Sequence, residues 1–424
     1  MFPRGNKVLL CAAALGVALS TAVAGCGSSG GATRTSDGKT VLKVVGWKGG
    51  GSEPANIAQI NADFQAAHPD IQVQWTYVPS SNYQQSVNTQ LLGGNAADVV
   101  MVDDVKAQLW STSGNLLPLD DQPWVSTLKP TLQDFSKFNG HTVVLPQEIV
   151  GIGLFSDMTL LNKAGITAVP QTWGDFTADL TKLKAAGINP IEFPDKGGWT
   201  GEMAALTLGA SDVSAASPGW DQERRDGKTT FAGTPGWTTA LGKVQQLAGY
   251  ANVKDALATD EFGKGLTDFE AGQTAFLIHG SWNISDFTSK ASFPFQFSAV
   301  PGGATAAQTT PLLYVGTGLA VNAASHAQAA AKEYLDFWAQ DGTLQQYLKP
   351  EGAFTTLAKG TTPPVPQAAD FEAAVSKGAG VILQQQIWRN TKIDAVMKSS
   401  LQALVLGQQS PPAVLASWDQ QFTR

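Results

Sequence analysis

Apolar positions in this chain recur at helical and strand spacings, except in one early segment where polar positions are almost absent. That segment is Val8 to Ala24, preceded by Arg4 and Lys7. It is short for a stable membrane span, and small residues close it. Ser28 to Lys39 then holds Gly, Ser and Thr with few charges and is expected to be a flexible tether, too polar to pack. Periodic order begins at Val41–Trp47, a β-rich run ended by Gly49–Gly51. Ile57, Ile60 and Phe64, three and four residues apart, predict a helix that starts near Pro54. His68–Asp70 stops it, and Ile71–Tyr77 alternates like a half-buried strand. A second helix is predicted over Ser80–Gly93 and an apolar strand over Asp98–Val102. The order βαβαβ predicts an α/β fold with a parallel sheet covered by helices.

The pattern then breaks and restarts. Val143–Phe155 contains strand-like runs with Pro146 and two glycines, fit for a crossing between lobes. Helices are predicted over Thr172–Ala186, Met203–Leu208 and Trp237–Ala248, with strands at Pro190–Phe193, Thr274–Ile278 and Phe295–Val300. Tyr314–Val321 is Gly-rich and apolar, suited to a second crossing. Helices over Ala327–Gln340, Ile393–Leu406 and Pro412–Phe422 complete the chain. A length of 424 residues fits two or three domains of ordinary size.

The early apolar run has the layout of a secretory signal. Its ending, Val23-Ala-Gly-Cys26, resembles a bacterial lipobox, in which Cys26 becomes the lipidated first residue of the mature chain. The expected divisions are a signal over 1–25 and a tether over 26–39. The second cysteine, Cys11, lies inside the signal, so the mature protein has no disulfide and relies on its core. Acyl chains on Cys26 would anchor it to the outer face of the cytoplasmic membrane. The formal charge of −7 becomes −9 once Arg4 and Lys7 leave. An acidic chain without Lys/Arg clusters argues against nucleic acid and against anionic membrane surfaces as partners. Four histidines and no usable cysteine leave little for a metal site, and no cofactor is expected.

Four phrases, in order, carry a resemblance. Phe64-Gln-Ala-Ala-His-Pro-Asp-Ile-Gln-Val73 is followed by Leu91-Leu-Gly-Gly-Asn-Ala-Ala-Asp-Val-Val100. Next comes Val169-Pro-Gln-Thr-Trp173 with Leu183–Pro190. The most specific is Phe269-Glu-Ala-Gly-Gln-Thr-Ala-Phe-Leu-Ile-His-Gly-Ser-Trp282. Together they resemble family 1 of the extracellular solute-binding proteins, the group containing maltose-binding protein. Ala97 and Phe276 depart from the family's usual proline and methionine. Leu154-Phe-Ser-Asp157 stands where Tyr-Asn is usual.

The resemblance implies a two-lobe periplasmic-binding-protein-like fold of type II, with a ligand cleft between lobes joined by crossing strands. Mapped here, lobe one is 40–150 plus 313–365 and lobe two is 151–312 plus 366–424. It further implies a monomeric binding protein that captures a sugar, closes, and delivers it to the membrane subunits of an ABC importer.

A pyranose offers C–H patches on its faces and hydroxyls on its rim. An indole platform and carboxylate acceptors suit it, because a buried hydroxyl left unpaired costs about 1–3 kcal/mol. Ligands in open α/β sheets sit beyond the carboxyl ends of strands, which directs attention to Trp47, Asp103 and Asp104. The alternatives are a core role for Trp47 and helix capping for either aspartate. Glu148 adjoins the first crossing, where carboxylates of the family often reach ligand. Trp282 matches the family's Gly-x-Trp tryptophan, which stacks on sugar, and Trp199 falls where the family often has an aromatic residue. Tyr83 and Tyr314 are further candidates that could equally pack. Trp388 falls where the family sometimes adds an aromatic from its tail, and a core role is its alternative.

An enzyme is not expected. A secreted glycoside hydrolase needs two carboxylates set across a bond, and no residues here point to such a pair. There is no Gly-x-Ser-x-Gly, His-Glu-x-x-His or phosphate loop. The nearer alternative is a binder of another solute, such as a polyamine or a peptide.

Overall fold

The computed structural model describes residues 32–48, 56–390 and 392–422. The expected signal, Cys26 and the glycine loop after Trp47 lie outside the described residues. Lobe one opens with β1 (Thr40–Gly46), α1 (Asn56–Ala67), β2 (Ile71–Tyr77), α2 (Ser80–Leu92), β3 (Val99–Val102) and α3 (Asp104–Thr112). β1 pairs in parallel with β2 along its whole length and with β3 on its other edge. The periodicity had its cause in packing, since α1 buries Ile57, Ile60 and Phe64.

A small hairpin, β4 (Lys137–Phe138) and β5 (His141–Thr142), precedes β6 (Leu145–Pro146) and the long β7 (Ile149–Asp157). Lobe two adds β8 (Ile191–Glu192), β9 (Phe276–Gly280), β10 (Phe295–Ser298) and β11 (Leu312–Val315). The chain then places β12 (Gly318–Val321) in the first sheet and β13 (Val381–Ile382) in the second. The first sheet runs β2-β1-β3-β12-β6, with β12 antiparallel to its neighbours. The second runs β13-β11-β7-β9-β8, and β10 pairs with the end of β7 that β11 leaves open.

The apolar stretch Tyr314–Val321 is therefore two strands in two sheets. The chain passes from the second sheet to the first at Gly316-Thr317, within the stretch suited to a second crossing. This passage lies beside the first crossing, where Gln147 N donates to Thr317 O (2.9 Å) and Gly316 N donates to Glu148 O (3.0 Å). A Cβ on Gly316 would stand 2.8 Å from Glu148 Cγ, so the close approach requires glycine.

All nine residues of β7 are buried. Ile152 and Leu154 belong to the main core of lobe two, which also holds Trp220, Phe231, Trp237, Trp388 and Trp418. Ile149 and Phe155 face a third cluster with Phe297, Phe354 and Phe371. Between them Gly151 and Gly153 leave room for rings against the sheet: a Cβ on Gly151 would lie 2.4 Å from Phe371 Cζ. These glycines read as crossing signals in the sequence but serve packing.

The expected tether differs from expectation in its described part, residues 32–39. Thr35 N donates to Lys39 O (2.9 Å), Gly38 N donates to Thr35 O (3.0 Å), and Arg34 bridges Thr40. Polar residues here satisfy one another in a turn against the start of β1, with Gly38 at φ 86. Among the described residues, no helix is long and apolar enough to cross a membrane.

Replacing Gly153 tests the packing of β7, because its Cβ would sit 2.4 Å from the backbone oxygen of Ser298 and 2.6 Å from Phe297 Cζ. Gly153→Ala should lower the unfolding free energy by about 1–3 kcal/mol in chemical denaturation. An unchanged denaturation midpoint contradicts the packing account.

Candidate functional site

Between the two sheets, beside the crossings, lies a cavity of about 790 Å³. Of the nine candidate side chains, seven line it: Trp47, Asp103, Asp104, Glu148, Trp199, Trp282 and Tyr314. Trp282 and Tyr314 pack against the cores of both lobes.

Trp282 follows β9 on a short 3₁₀ turn, Ser281–Asn283. A Cβ on Gly280 would lie 2.1 Å from the Trp282 ring, so the indole folds back over bare backbone. That is the physical content of the Gly-x-Trp phrase. Trp199 opens the helix Trp199–Gly209 behind Gly198, which has φ 81. Glu261 fixes this turn by accepting from Gly197 N (2.6 Å) and Trp199 N (3.2 Å). The Trp199 and Trp282 rings stand 6.2 Å apart at 63°, with Phe262 5.1 Å from Trp199. His279 packs behind them, and burial lowers its pKa to about 3, so the imidazole is neutral.

Trp47 ends β1 differently. Tyr83 meets it edge-on at 4.8 Å, and Lys106 Nζ lies 4.7 Å over its ring. Asp103 caps α3 by accepting from Lys106 N (2.9 Å) and pairs with the Lys106 ammonium. Asp104, in the first helical turn, receives a hydrogen bond from Gln386. Burial and the neighbouring Asp103 raise Asp104 to about 6. Glu148 Oε1 accepts from Lys48 Nζ (2.9 Å), Thr317 N (3.1 Å) and Thr317 Oγ1 (2.9 Å). Its Oε2 is buried without a hydrogen-bond partner among the described residues. Burial alone would lower the Lys48 pKa, but the Glu148 and Glu351 carboxylates outweigh it and hold the ammonium well above its ordinary value.

Two candidates lie elsewhere. Tyr83 is fully buried under β1 and β3, and its hydroxyl donates to Met101 O (2.8 Å), with Val45 O at 3.1 Å. Its helix turns it into the core of lobe one. Trp388 is buried in the aromatic core of lobe two, where its indole N–H donates to Asp221 (2.9 Å). Of the twelve tryptophans, seven are buried and three line the cavity, so the abundance reports mainly on cores.

Sequence reasoning missed Lys48, Glu202, Phe262, Gln386, Arg389 and Lys398, all of which line the cavity. Lys48 carried a usable signal, since it follows Trp47 past the end of β1. The others come from helices and tail segments that only packing brings together. Arg389 Nη1 donates to Lys137 O (2.7 Å), and its guanidinium lies 4.9 Å from the Phe138 ring centre, joining the tail to the lobe-one hairpin. No group of three or more His, Cys, Asp or Glu among the described residues could hold a metal ion.

Residues 49–344 match the family described as bacterial extracellular solute-binding protein. A 148-residue stretch is 26% identical to the multiple sugar-binding protein of Streptococcus mutans, covering 34% of each chain. The chain thus spans about a third of that relative's length. A longer match, 25% identical over 340 residues and 76% of each chain, is to the diacetylchitobiose binding protein of Streptomyces coelicolor. Among solved structures, a chitin oligosaccharide binding protein superposes with a TM-score of 0.73 at 19% identity, over 90% of this chain and 98% of that one. These neighbours share the two-lobe α/β fold.

Glu202 allows a test of the site's electrostatics. Burial, reinforced by Asp394 and partly offset by Lys398, raises its pKa to about 8. A carboxyl raised in the folded state binds its proton more tightly there than in the unfolded chain. Its contribution to stability is therefore lost as pH rises from about 4.5 to about 8. Glu202→Gln should raise the melting temperature relative to wild type more at pH about 8.5 than at pH about 5. A difference that is flat with pH contradicts the assignment.

Proposed function

The chain belongs to the bacterial extracellular solute-binding proteins, and on that premise we propose that it is the substrate-binding component of an ABC importer, capturing a mono- or oligosaccharide between its lobes. The carrying observation is the cavity itself. Its volume of about 790 Å³ suits a small-molecule ligand, and three indoles and seven carboxylates line it. Trp199 and Trp282 offer apolar faces to a pyranose, while Glu148 and Asp104 offer acceptors to its rim. Contacts from both lobes make ligand binding favour the closed arrangement, which the membrane subunits would recognise. The lobe limits of this reading are those drawn from sequence, moved so that β11 stays with lobe two. The chain acts as a monomer and binds without turnover, in keeping with a family of binding proteins.

A glycan panel read by calorimetry, with product analysis and small-angle scattering on the same samples, tests this reading. One or more neutral or amino sugars should bind without being cleaved and should contract the protein. Trp282→Ala should weaken that binding about tenfold, the loss of roughly 1.4 kcal/mol of stacking. Cleaved products, or binding with superimposable scattering curves, would count against the reading.

We also propose that Cys26 carries the lipid that holds the mature protein at the outer face of the cytoplasmic membrane. The lipobox-like ending and the Gly/Ser/Thr segment after it support this. Cys26→Ser should move the protein from the membrane fraction to the medium, and retention in the membrane fraction would refute the anchor.

A further inference from the structure

The charges around the cavity are unbalanced in a repeated way. Seven carboxylates and four cationic side chains line it. Two of the lysines are each set among two acids. Lys48 pairs with Glu148 (2.9 Å) and Glu351, and Lys398 pairs with Asp394 (2.9 Å) and faces Glu202 at 3.7 Å. Lys106 pairs with Asp103 alone, and Asp104 beside it has no ion pair among the described residues. A neutral ligand closing over Asp104 would remove water from a carboxylate that no cation pairs among the described residues.

Tyr314 stands within electrostatic reach of Asp104, Asp103, Glu148 and Lys48. Gln386 is committed on one side to β11, exchanging hydrogen bonds of 2.9 Å with Val315 N and O, and its amide also donates to Asp104. Along the same floor, Glu148 has a side chain only 2% exposed and an Oε2 with no partner among the described residues. Asp104 and Glu148 both line the cavity, and of the two only Glu148 has an ion pair among the described residues. The rise of Asp104 to about 6, from burial and Asp103, fits a carboxyl waiting for compensation.

Resting on the sugar-binding reading above, we propose that the corner formed by Asp104, Asp103 and Tyr314 takes the ammonium group of a basic amino sugar. The amine donates to Asp104 and supplies the charge the corner lacks. The sugar ring lies along the floor, with a hydroxyl within reach of Glu148, and stacks toward Trp282. Lys106 stays with Asp103 over the Trp47 indole, which leaves Asp104 as the group that distinguishes an amine from a hydroxyl or an acetamide.

Matched pairs test this by calorimetry: glucosamine with glucose, galactosamine with galactose, and the disaccharide of glucosamine with its N-acetylated form. At about pH 7 the amine member of the pair that fits should bind at least about tenfold more tightly, the range of a charge-assisted hydrogen bond. Asp104→Asn, checked for folding by its thermal melt, should reduce that preference at least about fivefold, whatever happens to the absolute affinities. In wild type the preference should also shrink between about pH 7 and about pH 5, as Asp104 takes up its proton. Equal or tighter binding of the neutral member overturns the proposal and leaves the sugar-binding reading intact. A preference untouched by both Asp104→Asn and pH overturns it as well. If no sugar binds, or only spermidine does, both readings fall together.

Discussion

Glu148 and Lys48 meet where the two crossing segments run past each other. Glu148 is held by Thr317 of the opposite crossing as well as by Lys48 from the end of β1, and Tyr347 stands 3.4 Å from the same oxygen. Its carboxylate therefore joins both crossings to lobe one from inside the protein. Removing one partner of a buried pair leaves the other charge uncompensated, at a cost of about 3–5 kcal/mol. That makes the floor of the cavity a rigid reference. The Trp47 corner and the Asp104 corner are placed relative to it by β1 and β3, and the Trp282 wall by β7 and β9.

Bare backbone and aromatic rings share a second constraint. Phe297 and Phe371 lie against Gly153 and Gly151, and Trp282 lies against Gly280. In each case the missing Cβ lets a flat ring reach the sheet, so burial of a large apolar surface requires no widening of the fold. In β7 the device builds a core. After β9 it leaves an indole partly open to the cavity. The same contact serves packing in one place and presents a binding surface in another.

Desolvation sets the chemistry of the cavity. Burial raises Asp104 and Glu202, and it would lower Lys48 but for the acids around that residue. Lys48 lies between two carboxylates and Asp104 has no ion pair among the described residues, so neutralisation by the protein alone stays incomplete. An aromatic wall with an acidic floor accepts polyols and favours donors, positively charged ones above all.

Much of the architecture was determined by sequence alone, because apolar spacing and strand alternation are local. The strand Ile71–Tyr77 and the helix beginning after Thr172 appear where periodicity and capping put them. Strand ends also led to Trp47, Asp103 and Asp104, since a residue just past a strand is placed by that strand. Tertiary structure decided the rest. Tyr83 and Trp388 are as aromatic as Trp199 and Trp282, yet they turn inward, because neighbours from distant segments close over them. Glu202 and Gln386 are brought to the cavity by pairings between distant segments, Glu202 with Gln385 and Gln386 with Val315. A linear pattern records which face of an element is apolar. It does not record which other element that face will meet.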